Sequence, residues 1–172
     1  MSGSAVIVNP NAGKGRANKN WPSLQRRMEA RLGPLTILET TGEGDAERLT
    51  GRAIKDGFTH IIAIGGDGTV NEALNGYFSD TEATPINPDA CLSFLTGGTG
   101  NDFVRSFDWP KKIDAQLERI ATAAPRKLDV GMCCLTGPDN TPVHRYFANI
   151  GSFGISGNTC LYVLHGDHHK QR

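Results

Sequence analysis

The chain has 172 residues, which is enough for one ordinary domain and part of another around a substantial buried core. Eighteen Lys and Arg residues balance eighteen Asp and Glu residues without a clustered basic stripe, which argues against a nucleic-acid surface. No stretch is apolar enough to span a bilayer, and the four cysteines lack CxxC spacing, so we expect a reduced, cytoplasmic protein without disulfides or zinc.

A short apolar run at residues 5–8 predicts a first strand, and the glycine-rich sequence NPNAGKG at 9–15 predicts a flexible loop directly after it. Lys14 and Arg16 lie in this loop and could hold phosphates, Lys14 as a point charge and Arg16 as a planar fork. The pattern is equally typical of loop cations that contact only solvent.

The following segments alternate between helix and strand patterns. Trp21, Leu24, Met28 and Leu32 recur at helical spacing and predict a helix with an apolar core face. Residues 35–39 predict a second strand, and a second helical pattern ends near Gly57. This order predicts right-handed crossovers and a mostly parallel sheet flanked by helices, in which ligands bind at the carboxyl ends of the strands.

A third predicted strand at residues 61–64 leads into GGDGTVNE at 65–72. Gly65, Gly66 and Gly68 can adopt positive φ and allow a ligand to approach the main chain closely. The unpaired backbone N–H groups at the start of the next helix favour an anion. The sequence therefore predicts a turn that can bind phosphate.

Two acidic residues of this stretch permit more than one interpretation. Thr69 and Glu72 have the spacing of a capping box, which predicts a helix that starts at Val70 and makes Glu72 a helix cap. Asp67 would repel a bound polyphosphate unless it binds Mg²⁺ or accepts a proton from a hydroxyl. Asp is also a common turn former, so both interpretations of Asp67 remain open.

A fourth predicted strand at residues 91–95 ends in the sequence TGGTGNDF at 96–103. Thr99 and Asp102 form a second, weaker capping pair. Asn101 and Asp102 could contact a nucleotide or a metal, and both are also common in the first turn of a helix. Three glycine loops that follow parallel strands predict one shared ligand site at the carboxyl edge of the sheet.

The character of the sequence changes after a predicted surface helix at residues 111–124. Runs at 128–135 and 143–150 are rich in β-forming residues, and GPDNTP between them predicts a hairpin. We therefore expect a nucleotide-binding α/β domain at 1–127 and the truncated start of a β-rich second domain at 128–172. His165, His168 and His169 could bind a metal, although a polar chain end explains them without one.

Taken together and in this order, the motifs resemble those of the diacylglycerol kinase catalytic-domain family of soluble lipid kinases, which includes the sphingosine kinases and is related to NAD kinases. The blocks that carry the resemblance are NPNAGKG at 9–15, GGDGTVNE at 65–72, GGTGNDF at 97–103, LDVG at 128–131 and FANIGSFG at 147–154. The resemblance implies an α/β nucleotide domain of the NAD kinase/diacylglycerol kinase type beside a β-sandwich domain.

The resemblance also implies an enzyme of lipid metabolism and phospholipid biosynthesis. Such an enzyme transfers the γ-phosphoryl group of ATP, with Mg²⁺, to the hydroxyl of a diacylglycerol or sphingoid-like lipid at a membrane surface. Asp67 would be its catalytic residue, as a metal-linked or proton-accepting carboxylate. By position, the residues implied to hold the nucleotide are Asn9, Gly13, Lys14, Gly65, Gly66, Asp67, Gly68, Thr69 and Thr99.

Two departures from the family keep alternatives open. The family's downstream Asp-Gly-Glu motif does not occur in these residues, and the chain has GISGN at 154–158 where family members often have an acidic residue. The alternatives are an NAD kinase-like enzyme, which shares the GGDGT turn, and a non-catalytic ATP-binding remnant. Exposed strand edges would also allow a homo-oligomer.

Overall fold

The computed structural model describes residues 3–12, 21–79, 84–96, 107–137 and 139–148. Strands and helices alternate through most of this chain, as the apolar periodicity predicts. The elements in chain order are β1 (Ser4–Val8), α1 (Trp21–Leu32), β2 (Leu35–Glu39), α2 (Asp45–Lys55), β3 (His60–Gly65), α3 (Asp67–Asn75), β4 (Cys91–Thr96), α4 (Ile113–Thr122), β5 (Gly131–Thr136) and β6 (Pro142–Phe147).

The first four strands form one parallel sheet in the order β2-β1-β3-β4, which confirms the predicted α/β class. Strand β1 is buried along its whole length, and β3 is buried after its first residue. The sequence of a strand that is covered on both faces is a continuous apolar run, and β1 and β3 both have that pattern. Val8 pairs with Ile64 and Ile64 with Leu95, so three strands end side by side at one edge.

Helices cover both faces of the sheet, and each face has its own core. Alternate residues of β1 and β3 point to opposite faces, because side chains along a strand alternate in direction. On one face, the buried core between the sheet, α1 and α4 consists of Val6, Val8, Met28, Ile62, Ile64, Leu95 and Leu117. On the other face, the buried core around α2 consists of Ala5, Ile7, Ala46, Leu49, Ala53, Ile54, Phe58, Ile61 and Tyr77.

Helix α3 begins at Asp67, not at Val70, so the predicted capping box is wrong. The carboxylate of Glu72 instead accepts a hydrogen bond of 3.2 Å from the backbone N–H of Ala46, in the first turn of α2. The N-cap residue of α2 is Gly44, which has no side chain that could cap that turn. Glu72 is therefore a cap, as predicted, but it caps the neighbouring helix.

Strands β5 and β6 form the predicted hairpin, with Gly131 opposite Phe147 and Thr136 opposite Pro142. β5 starts at Gly131, so the predicted start of this strand at 128 is three residues too early. The ring of Phe147 lies over Gly131, where a Cβ would come within 2.3 Å of it. Glycine at position 131 therefore leaves the space that the aromatic ring fills.

Two structural features concern the membrane and the cysteines. Within the residues that the structure describes, no helix has the length and apolar character needed to cross a bilayer. Cys91, Cys133 and Cys134 are free thiols, whereas Cys160 lies outside the described residues.

Candidate functional site

The loop after β1 and the turn after β3 are joined at the carboxyl edge of the sheet. The backbone N–H of Asn9 donates to the carbonyl of Ile64 at 2.9 Å, which extends the pairing of β1 with β3 by one residue. The side-chain Nδ2 of Asn9 donates to Oγ1 of Thr69, in the first turn of α3, at 3.2 Å. Two of the loops that the sequence predicts at this edge are therefore in direct contact.

Asn9 also shapes its own loop. Its Oδ1 accepts a hydrogen bond of 3.0 Å from the backbone N–H of Asn11, which is the pattern of an Asx turn. Its backbone carbonyl accepts a bond of 3.1 Å from the N–H of Ala12. The side-chain amide of Asn9 is thus engaged in protein contacts that fix where the loop leaves the sheet.

Gly65 allows the close contact between β3 and Thr69. A Cβ at position 65 would lie 2.4 Å from Oγ1 of Thr69 and 2.5 Å from its Cβ, distances at which the atoms overlap. The side chain of Thr69 is itself buried, with 7% of its surface exposed. Glycine is required at position 65 because a neighbouring side chain occupies the space of a Cβ.

Gly66 and Gly68 have open space beside them. Among the residues that the structure describes, no atom beyond the adjoining backbone lies within 4 Å of a Cβ placed at either position. Gly66 has φ −88 and ψ −176, which is ordinary extended backbone. The turn does not use the positive φ that glycine permits, since the described glycines with positive φ are Gly33, Gly44 and Gly57.

The N-terminus of α3 has the features of an anion site. Its N-cap is Gly66, which offers no side-chain cap, and the N–H of Val70 makes the first bond of the helix, to the Gly66 carbonyl at 3.1 Å. The N–H groups before Val70 have no carbonyl partner within the helix, and the helix dipole adds partial positive charge there. This arrangement favours a phosphate at the turn.

Asp67 stands between this turn and a cleft. It is the first residue of α3 and is half-buried. The cleft runs along the edge strand β4, and Asp67 shares its wall with the apolar side chains of Val70, Leu74, Phe94 and Trp109. A carboxylate in this position can face a group bound at the turn and a second group in the cleft.

The structure brings part of the predicted site together. Gly13, Lys14 and Thr99 lie outside the described residues, as do Arg16, the 101–106 stretch and the histidine-rich chain end. The predicted site residues that it places at one edge of the sheet are Asn9, Gly65, Gly66, Asp67, Gly68 and Thr69.

The structure also shows two polar arrangements that sequence reasoning missed. Asn75, at the end of α3, is buried and is hydrogen-bonded to the backbone of Tyr146 in β6. At the opposite edge of the sheet, His60 lies between Ser4 and Ser93, and burial lowers the pKa of its imidazole. The only sequence signal for the second arrangement is that all three polar residues lie at or near the starts of apolar runs.

Comparison with known proteins identifies the family of the chain. The family described as Diacylglycerol kinase catalytic domain matches residues 4–133 of the chain. The chain belongs to this family. The matched residues include both loops of the candidate site and all four parallel strands, and they end within β5.

Individual members of the family have similar sequences and structures. A diacylglycerol kinase of Staphylococcus haemolyticus is 32% identical over 87% of this chain, and one of Bacillus subtilis is 29% identical over 90%. The crystal structure of a diacylglycerol kinase from Bacillus anthracis matches 75% of this chain with a TM-score of 0.61 and 32% identity. This chain spans 41%, 46% and 42% of the length of these three proteins, respectively.

Proposed function

We propose that the chain is the nucleotide-binding part of a lipid kinase. In this proposal, the enzyme transfers the γ-phosphoryl group of ATP to a hydroxyl of a diacylglycerol or sphingoid-like lipid at a membrane surface. Residues 1–127 form the nucleotide domain, and 128–172 begin a β-rich domain for the lipid. The observation that carries the proposal is the N-terminus of α3, where Asp67 lies at a helix start without a side-chain cap at the edge of the sheet.

The backbone at the start of α3 binds the phosphates of ATP. The N–H groups of the first helical turn and the helix dipole supply donors and positive charge, and the open space beside Gly66 and Gly68 gives the phosphates access to them. Asn9 holds the neighbouring loop in place through its bond to Thr69. Gly13, Lys14 and Thr99 complete the nucleotide site, with Lys14 as a point charge on the phosphates.

The donor atoms at the turn suit Mg²⁺ that is bound together with a nucleotide. Within the part of the chain that the structure describes, no group of three or more His, Cys, Asp or Glu side chains could form a protein-only metal site. Mg²⁺ commonly takes one or two carboxylates and completes its shell with phosphate oxygens and water, so Asp67 alone fits this role. The ion would neutralise charge on the transferred phosphoryl group.

In the alternative role to Mg²⁺ binding, Asp67 receives the proton of the acceptor hydroxyl. The apolar wall formed by Val70, Leu74, Phe94 and Trp109 offers the acyl part of a lipid a surface that leads to this carboxylate. A positioned carboxylate that accepts a proton contributes about a hundredfold or more to such a transfer. Most of the remaining rate enhancement in phosphoryl transfer comes from positioning and electrostatics.

A transfer assay with labelled ATP, Mg²⁺ and mixed micelles containing diacylglycerol or sphingosine tests the proposal. Asp67→Asn keeps the size of the side chain but removes its charge, and it is expected to lower the transfer rate by about a hundredfold or more. Asp56→Asn is a matched control, because Asp56 is exposed at the far end of α2. Its rate should equal that of the wild type.

Three results separate the proposed lipid kinase from its alternatives. Full transfer activity in the Asp67→Asn variant contradicts the role of this carboxylate. Transfer to NAD and not to lipid assigns an NAD kinase-like activity. ATP binding in calorimetry without transfer to any acceptor limits the function of this chain to nucleotide binding.

A further inference from the structure

Asn75 makes hydrogen bonds across the fold that the proposed phosphate site does not use. Its side-chain Nδ2 donates to the carbonyl of Tyr146 at 2.9 Å, and its Oδ1 accepts from the N–H of Tyr146 at 2.9 Å. The same Nδ2 also donates to the carbonyl of Asn71 at 2.8 Å. The amide thus pairs with both backbone groups of one residue of β6, as a neighbouring strand would.

This pairing is not a local helix cap. Asn75 and Tyr146 are 71 positions apart in the sequence, and the exposed fractions of both residues are only 7%. Loss of the amide would remove two buried hydrogen bonds to the backbone of Tyr146, which costs more than loss of exposed bonds. Asn75 therefore joins the hairpin to the end of α3.

Other contacts orient the hairpin at the same place. The rings of Phe78 and Tyr146 are stacked, with centroids 3.8 Å apart and an angle of 13° between their planes. Arg145 donates to both carboxylate oxygens of Glu47 in α2, at 3.0 and 2.9 Å. This ion pair is partly exposed and contributes little by itself, so the buried amide and the ring stack define the contact.

Helix α3 is in turn held tightly against α2. A Cβ at position 76, just after α3, would lie 2.3 Å from the carbonyl oxygen of Glu47, so the two helix backbones touch there. The bond from Ala46 to Glu72 links the same helices one turn earlier in α3. Because α3 has nine residues, it is about 13 Å long and spans the distance from the phosphate turn to the hairpin as one rigid element.

We propose that Asn75 is a positioning residue that fixes the β5–β6 hairpin relative to Asp67. The inference rests on the proposed function, because it assigns the two ends of α3 to the two substrates. The N-terminal end of α3 holds the phosphates of ATP. The C-terminal end sets where the lipid-binding region lies with respect to them.

Hydrogen exchange at the Tyr146 amide tests the docking directly. In Asn75→Ala, this amide should exchange about tenfold faster or more than in the wild type, since one buried hydrogen bond is lost. Asn71→Ala is the matched control, because Asn71 is the same residue type in the same helix with an exposed side chain. In the Asn71→Ala variant, the exchange rate of the Tyr146 amide should remain within about twofold of the wild type. Equal exchange in the Asn75→Ala variant and the wild type overturns the inference.

A comparison of ATP affinity with turnover tests the positioning role. Asn75→Ala should keep its ATP dissociation constant within about threefold of the wild type while its kcat falls by about tenfold or more, because only the second substrate is misplaced. Unchanged kcat with faster Tyr146 exchange overturns the positioning role. A parallel loss of ATP affinity and of amide protection in β1 and β3 shows a purely structural role and also overturns it.

The two experiments distinguish failure of the inference from failure of the proposed function. A wild-type chain that transfers phosphate to no acceptor contradicts the proposed function. The exchange at Tyr146 then still decides whether Asn75 holds the hairpin. Asn75→Asp adds a further check, because its carboxylate can accept from the Tyr146 N–H but cannot donate to the carbonyls of Tyr146 and Asn71. The carboxylate would repel those carbonyl oxygens and loosen the contact, so the exchange rate at Tyr146 should exceed that of the wild type.

Discussion

Polar groups are arranged differently at the two edges of the parallel sheet. At the amino edge, Ser4 Oγ lies 2.8 Å from Nδ1 of His60, and Nε2 of His60 lies 3.0 Å from Ser93 Oγ. This row ties β1, β3 and β4 together, and both ring nitrogens have partners. At the carboxyl edge of the same strands, Asn9 and Thr69 are paired, but the start of α3 offers backbone donors without a side-chain cap.

The difference shows why residue type alone does not identify a functional site. Histidine is a common general base, yet His60 is held between two hydroxyl groups at the edge opposite to Asp67. Polar groups that satisfy one another strengthen the fold and have little left to offer a ligand. At the carboxyl edge, α3 starts without a side-chain cap, and a helix start of this kind favours a phosphate, so the functional site is expected there.

Among the substitutions that test this comparison of the two edges, Gly65→Ala at the carboxyl edge is expected to have the largest effect on stability and ATP affinity. The new Cβ would overlap Thr69, so we expect the free energy of unfolding to fall by about 1–3 kcal/mol and ATP affinity to fall with it. Gly66→Ala is the matched control for stability, since its Cβ meets no non-neighbouring atom of the described residues within 4 Å and its φ suits alanine. Denaturant unfolding and ATP calorimetry measure both quantities.

The Gly66→Ala variant also tests whether the phosphates of ATP bind at this turn. If phosphate binds at the turn, Gly66→Ala should weaken ATP binding while its stability stays within about 0.5 kcal/mol of the wild type. Equal stability of the Gly65→Ala and Gly66→Ala variants would show that Gly65 has no special packing role.

A smaller effect is expected from Asn9→Ala, which separates the two loops of the carboxyl edge. The change removes the bonds from the side chain to Thr69 and Asn11, so stability should fall by about 1–2 kcal/mol. Asn11→Ala removes an exposed amide from the same loop and should change stability by no more than about 0.5 kcal/mol. Thermal unfolding of both variants measures the difference, and equal losses contradict the assigned role of Asn9.

The smallest expected effect is a pH dependence of stability that arises from His60 at the amino edge. Burial lowers the pKa of His60 below its usual value of 6.5, so above that pH the imidazole is neutral in both folded and unfolded chains and does not affect stability. As the pH falls below 6.5, the unfolded chain takes up the proton more readily, and stability is lost. Each full unit between the two pKa values corresponds to about 1.4 kcal/mol at the acid end.

His60→Gln should remove this part of the pH dependence. Denaturant unfolding at pH 7.5 and pH 5.5 measures it, and the wild type should lose more stability between these values than the variant. The carboxyl group of Asp45 does not interfere. Its pKa is lowered to about 2, first by hydrogen bonds from Thr41, so it titrates at lower pH. Equal losses in both proteins contradict the neutral, half-buried state of His60.

Much of the fold could be predicted from local patterns. The continuous apolar runs of β1 and β3 indicate strands that are buried on both faces, and the apolar stripe from Trp21 to Leu32 matches α1. The turn at Gly65, Gly66 and Asp67 could also be placed at the carboxyl edge, because parallel strands bring their ends together. These predictions depend on neighbours in the sequence and on the alternation of strands and helices.

The partners of the polar side chains could not be predicted in this way. The spacing of Thr69 and Glu72 fits a capping box, yet Glu72 caps α2, and Thr69 packs against Gly65 and Asn9. From the sequence, Asn75 is an ordinary polar residue at the end of a helix. Only the tertiary fold places it in hydrogen-bonding contact with β6.

The sequence by itself determined the order of elements, the parallel sheet and the edge that carries the glycine turns, because apolar periodicity and turn residues act locally. The tertiary structure decided which polar groups satisfy one another. Those choices depend on contacts between segments far apart in the chain, such as Asn9 with Thr69 and Asn75 with Tyr146. Packing of the helices on the sheet creates these contacts, and no local pattern encodes them.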